Sequence, residues 1–248
     1  MTKAGSRIVD LVLLIAVIVA VWQGIYLLAG DAALSAPLET VRHAIELLAR
    51  PRFWLDIGES AHAFAYALVI AWLGGVGIGV WLGGHRLSGD VVEPILVALY
   101  SLPKVTLYPL ILLLFGLGIS AKIAFGAIHG IIPVAIFTMN AIRNIKPVYV
   151  KTAWMMGLSP LATVRTVLIP ACLPEIVSGL RVGFSLTLLG VLIGEMFASK
   201  RGLGFVIMNA IGLNDVRTML AVTLLLFVFA ALANSALLAL DRHLHKRV

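Results

Sequence analysis

The stretch "LVLLIAVIVAVWQGIYLLA", Leu11 to Ala29, runs for 19 residues without a charge. A helix of about 20 apolar residues matches the hydrocarbon thickness of a bilayer, so this run sets the solvent in which the chain must fold. Five more runs repeat the pattern: Ala61–Leu82, about Val91–Leu117, Ile123–Ile142, Ile176–Phe197 and Met219–Leu240. The expected fold is all-α, a polytopic membrane protein of about six transmembrane helices. Of the 248 residues only 12% are charged, against roughly a quarter in a soluble domain. Lys3 and Arg7 precede the first run and "LSA" follows it. Its apolar core nevertheless exceeds the about 7–15 residues of a signal sequence, so it reads as a retained anchor.

The third run is interrupted by Pro94, Pro103 and Pro109. Proline removes a backbone donor and kinks a helix, which predicts a bent span or a surface helix followed by a span. Between the first two runs, Pro37 and Pro51 bound a surface helix with Leu38, Val41, Ile45 and Leu48 on one face, the helical period. Gly75/Gly79, Gly126/Gly130, Gly179/Gly183 and Gly190/Gly194 are spaced for close helix contact, within one subunit or at a seam between subunits.

The net charge of +7 is spread between runs, without the basic, aromatic-laced surface that nucleic acid requires. Placing the amino end inside puts ten lysines and arginines in cytoplasmic segments against seven outside, the bias expected of an inner membrane protein. The tail "DRHLHKRV" agrees with that orientation. The single cysteine, Cys172, excludes an internal disulfide and any multi-cysteine metal site.

The largest cytoplasmic gap reads "NIKPVYVKTAWMMGLSPLATVRTVLIPACLPEI". Pro147 suits a first helical turn, and Gly157 stands where a helix stops in a left-handed turn. Ser159 is a good cap, Pro160 opens a second helix, and Pro170 is expected to end it. On that helix Leu161, Val164 and Leu168 share one face, while Thr163, Arg165 and Thr166 point elsewhere. An amphipathic helix held at a surface can lie in a partner's groove; it can also be a linker packed under the bundle.

Gly157, nine residues and then Val167-Leu168-Ile169-Pro170 resemble the EAA loop of ABC importer permeases. The downstream "LPEIVSGLRVGFSLTLLGVLIGEMFASKRGLGFVI" and upstream "LPKVTLYPLILLLFGLG" are similar to the nitrate/sulfonate/taurine/bicarbonate branch. The resemblance covers about residues 60–240. Lys151 and Thr152 replace the loop's glutamate and first alanine, and only Ala153 is retained.

The resemblance implies a coupling loop at about 143–175, with Ala153, Gly157, Ser159, Leu161, Val164, Arg165, Leu168 and Pro170 as its working residues. It implies two ATP-binding cassette ATPase subunits, a second permease copy and an extracytoplasmic substrate-binding protein as partners. The setting would be the lipid of a bacterial inner membrane. The cargo would be a small, anionic solute. ATP and magnesium would stay on the ATPases, with no cofactor bound by this chain, and the chain lacks the G-x-x-x-x-G-K-[ST] phosphate loop. The implied division is 1–59 for the anchor span and external helix, 60–240 for the permease core and 241–248 for a basic cytoplasmic tail.

Charges inside spans are costly, which singles out Lys104, Arg181 and Glu195 as pathway or interhelical candidates. Lys104 follows Pro103, where freed carbonyls could accept its protons. Arg181 lies about 8 Å from the cytoplasmic end of its span. Glu195 stands beside Lys200 and Arg201 as a brace. The same three residues are what an ion-coupled secondary transporter or channel would use. An intramembrane enzyme would draw on His62, His129, Glu93, Glu195 and Ser185, but no H-E-x-x-H or nucleophile motif is present.

Overall fold

The computed structural model describes residues 3–30 and 33–245, and every regular element among them is helical. Asp31 and the tail residues Lys246 and Arg247 lie outside the described residues. The helices are α1 (Lys3–Ala29), α2 (Pro37–Leu48), α3 (Pro51–Gly84), α4 (Arg86–Ser101), α5 (Tyr108–Phe115) and α6 (Ile119–Arg143). They continue with α7 (Pro147–Met155), α8 (Pro160–Thr163), α9 (Ile169–Ala198), α10 (Leu203–Gly212) and α11 (Val216–His245). A 3-10 turn, Lys104–Leu107, joins α4 to α5, and a π turn, Val164–Leu168, joins α8 to α9.

Helices α1, α3, α6, α9 and α11 are each long and apolar enough to cross a membrane; α4 and the segment Lys104–Phe115 pass that test only together, bent by 93°, as a broken span or a re-entrant loop. Of the prolines of the third run, Pro103 stands at the break and Pro109 in the first turn of α5, while Pro94 lies inside α4 without ending it. Arg143, at the end of α6, holds α4 in place: its guanidinium reaches Glu93 at 2.8 Å, Asp90 at 2.7 Å and the Arg86 carbonyl at 3.0 Å.

The centre is a three-helix packing of α3, α6 and α9 with glycines at the crossings. A β-carbon at Gly79 would lie 2.5 Å from Thr138 Cβ and 2.7 Å from the Ala135 carbonyl. One at Gly126 would lie 2.5 Å from Val191 Cγ2, and one at Gly190 would lie 2.9 Å from Gly126 Cα. All four spaced glycine pairs pack inside this chain. Lipid offers helices no hydrophobic reason to associate, so dispersion contact at small residues does that work. Helix α1 is different: no residue of its apolar core is buried. Its Trp22 Nε1 donates to the Ser35 carbonyl at 3.1 Å.

Several boundaries differ from expectation. Helix α3 begins at Pro51 rather than Ala61, because no breaker follows Pro51 at the first turn, so the division at residue 59 falls inside one helix. Helix α2 packs by a face of smaller side chains: Thr40, Ala44 and Leu47 are buried, while Leu38, Val41 and Ile45 are exposed. Ala44 and Leu47 pack with Ala221 and Val222 of α11, which leaves the larger apolar stripe for lipid. Helix α10 was not foreseen. It is too short to span, and its Leu203, Val206 and Ile207 fill the same cluster.

Replacing Gly79 with valine should lower the thermal unfolding midpoint of the detergent-purified chain, at an overpacking cost of about 1–3 kcal/mol. Gly77→Val, where a β-carbon meets nothing within 4 Å, should leave the midpoint unchanged.

Candidate functional site

Three features stand out: an elbow between α6 and α9, the break between α4 and α5, and a buried carboxylate at the opposite end of α9. The elbow opens with α7. Its carbonyls are capped when the Gly157 N–H donates to Trp154 O at 3.0 Å and the Leu158 N–H donates to Ala153 O at 3.1 Å. That paired bond pattern needs a left-handed residue after the helix, and Gly157 supplies it at φ +69°. Ala153 contributes its carbonyl and a side chain buried among the described residues.

The second arm begins as expected. Ser159 Oγ accepts from the Ala162 N–H at 3.3 Å, and Pro160 occupies the first turn. It does not end as expected. Pro170 terminates nothing, because Pro160–Phe197 runs as one 38-residue helical rod. The π turn explains how: Ile169 N–H donates five residues back to Val164 O, so the ladder is already reset where proline's missing donor falls. The wider turn also rotates Leu168 off the expected face. Leu161, Val164 and Arg165 are exposed, whereas Leu168 is half-buried.

The largest exposed apolar surface of the elbow lies on the first arm. Trp154 is 85% exposed and Met155 90% exposed, and Met156 is exposed beside them. Val150, Lys151, Trp154 and Met155 line a groove of about 330 Å³. Sequence reasoning missed this patch, although "WMMG", a tryptophan and two methionines directly before a helix-stopping glycine, carried the signal.

The break places Lys104 in the 3-10 turn, where its Nζ donates to the Tyr100 carbonyl at 3.0 Å and sits 5.2 Å from the Tyr100 ring centroid. Such a freed carbonyl is the partner that the proline pattern suggested. Arg181 is half-buried on the elbow half of α9, about 21 Å along the helix from Glu195 at 1.5 Å per residue.

Glu195 is fully buried, and its partners are not Lys200 and Arg201. Its carboxylate accepts from Ser60 Oγ at 2.7 and 2.9 Å and from the Gly204 N–H at 2.9 Å, with Lys122 Nζ at 3.8 Å. Lys122, 2% exposed, also donates to Glu59 at 3.1 Å and to the Arg201 carbonyl at 3.1 Å. Leu203 N–H reaches Ser60 Oγ at 2.8 Å, and Gly202 N–H reaches Asp56 at 3.1 Å. Side chains of α3, α6 and α9 thus hold the backbone of "RGLG" at the start of α10. Gly202, at φ +114°, has no room for a side chain because one would strike the Glu195 carboxylate. Lys122 read as an outer loop charge in the sequence; it is an internal one, since desolvating Glu195 requires a cation. The expected lysine and arginine bias of ten to seven then becomes ten to six.

Each of the five enzyme candidates has a local partner: Ser185 donates to its own helix at Arg181 O, Glu93 pairs with Arg143, Glu195 accepts from Ser60 and Gly204, His129 Nδ1 donates to Phe125 O, and the His62 ring meets Tyr66 edge-on.

Helices long and apolar enough to cross a membrane, packed as a bundle with an elbow between α6 and α9, place the chain among polytopic membrane proteins. The chain belongs to the binding-protein-dependent transport system inner membrane component family, which it matches over residues 75–248. It is 28% identical to the taurine transport system permease protein of Escherichia coli, over 77% of this chain and 70% of that one. It is 34% identical to the riboflavin transport system permease protein of Chloroflexus aurantiacus, over 59% of this chain and 58% of that one. Its fold resembles that of a chain from the inward-facing MetNI methionine ABC transporter, with a TM-score of 0.66, 21% identity, and coverage of 79% of this chain and 98% of that one. The family carries ABC importer permeases, which work with ATPase and binding-protein partners.

Removing one partner of the clamp leaves a buried charge, so Glu195→Ala should cost about 3–5 kcal/mol. Lys122→Met should cost a similar amount. The double variant should lose clearly less than the sum, as residues in one network do, measured by denaturant unfolding in detergent.

Proposed function

We propose that this chain forms the translocation pathway of an ATP-driven importer for a small anionic solute, working as one of two facing copies. Two cytoplasmic ATPases bind ATP and magnesium and grip the elbow, and a soluble binding protein delivers cargo at the clamp end. The amino and carboxyl termini lie in the cytoplasm, on the elbow side, as the ten-to-six charge bias favours. The relatives' names point to different cargo, an aminosulfonate in one and a flavin in another, so the anionic reading leans on the basic Lys104 and Arg181.

The observation that carries the proposal is the pairing of a bare apolar patch with a stiff mount. Trp154, Met155 and Leu161 are exposed, yet they sit on arms fixed by a glycine turn and a serine cap. The second arm continues into α9 without a joint. When ATP closes the ATPase pair, displacement of the elbow tilts α9 and opens the pathway outward, and hydrolysis resets it. Such a switch requires that the ATPase bind the two arrangements unequally.

Trp154→Asp combined with Leu161→Asp should reduce ATPase recovery in a pull-down by tenfold or more while the chain still reaches the membrane. Full recovery would remove the elbow from the account. Gly157→Val should impair transport far more than folding, because a β-branched residue disfavours φ +69°. Uptake in cells, compared with the amount of protein in the membrane, checks this.

A further inference from the structure

The bundle buries two lysines and compensates them differently. Lys122 has two carboxylates and a carbonyl. Lys104, 9% exposed, has one carbonyl and a tyrosine ring, and no carboxylate pairs with it among the described residues. An ammonium carries three donors, so two remain unused. A buried charge without a counter-charge is expensive, more so at membrane depth.

Its location is equally telling. Leu96 of α4 packs against Leu82, Ala135 and Met139, toward the elbow end of α6. Tyr108 and Ile111 of α5 pack against Ala121 and Phe125, toward the other end. The break therefore lies beside the middle of α6, at the depth of His129. Leu102, Pro103, Val105 and Thr106 are all exposed there. Irregular backbone at membrane depth survives only where protein covers it or where it lines a water-filled cavity. His129 is the neighbouring polar group. Its Nδ1 donates to the Phe125 carbonyl at 2.9 Å, and its Nε2 has no partner among the described residues.

We propose that the α4–α5 break lines the aqueous pathway and that Lys104 is its anion-binding station, where an oxyanion takes the two spare ammonium donors in transit. The station deepens the importer reading and rests on it for the direction of travel. Its charge and water access can be tested without an ATPase.

The experiment places a reporter thiol beside the lysine, Val105→Cys, in a Cys172→Ala full-length chain in membranes opened by freeze–thaw. The probes are an anionic sulfonatoethyl and a cationic trimethylammonioethyl methanethiosulfonate. The anionic reagent should react faster. Lys104→Gln should lower the anionic-to-cationic rate ratio at least about tenfold, the effect of one charge roughly 10 Å away at an effective dielectric near 20. Lys104→Arg should preserve the ratio. With Lys104 in place, nitrate or methanesulfonate at constant ionic strength should slow the anionic reaction. A ratio unaffected by Lys104→Gln overturns the station, as does a thiol that neither reagent reaches. If Lys104→Gln fails to accumulate, the protection measurement decides, and no slowing by either anion overturns the proposal. None of these results touches ATPase capture by the elbow, so the importer reading stands or falls separately.

Discussion

Hydrocarbon accepts no hydrogen bond, and every departure from regular helix in this chain is shaped by that fact. Where the third span breaks, Lys104 takes up the Tyr100 carbonyl that the helix abandons. Where α9 gives way to α10, four side chains from three helices receive the backbone of residues 201–204. Where proline interrupts the rod from Pro160 to Phe197, a π turn has already rearranged the ladder. The interruptions fall at the three places where a transporter needs to be something other than a greasy cylinder.

The same constraint explains how distant parts are joined. A rod of 38 residues extends about 57 Å at 1.5 Å per residue, enough to carry displacement from the elbow to the clamp. Its elbow end is offset from α7 by a glycine turn that cannot relax without losing two carbonyl caps. Its far end is tied to α3, α6 and α10 through Glu195. Between them α9 touches α6 at glycines, where close backbone contact leaves few alternative arrangements. In the proposed mechanism, a push at one end would reach the other as a tilt of one element.

Much of this was legible in the sequence. Apolar run length carried five spanning helices and the bent α4–α5 pair, since membrane thickness is a property of the solvent. Glycine and serine carried the elbow's corner and cap, because left-handed turns and capping are local. What stayed hidden was tertiary. Nothing near Glu195 announces that its cation is Lys122, distant in sequence, and the adjacent Lys200 and Arg201 were the natural guess. The inward face of α2 was not readable, because in a membrane the larger apolar stripe can face the lipid. Pro170 misled because proline lacks the donor that continues a helix, and the π turn that accommodates it has no sequence mark. The exposed "WMM" ahead of Gly157 was readable and was passed over.

The central claim is that force enters through the elbow, and an experimental structure of the assembled transporter in its membrane tests it most directly. The account requires Trp154, Met155 and Leu161 to be buried in a groove of the ATPase, with the rod from Pro160 in line behind them. An elbow that meets only water or lipid headgroups, with the ATPase seated elsewhere, would contradict it.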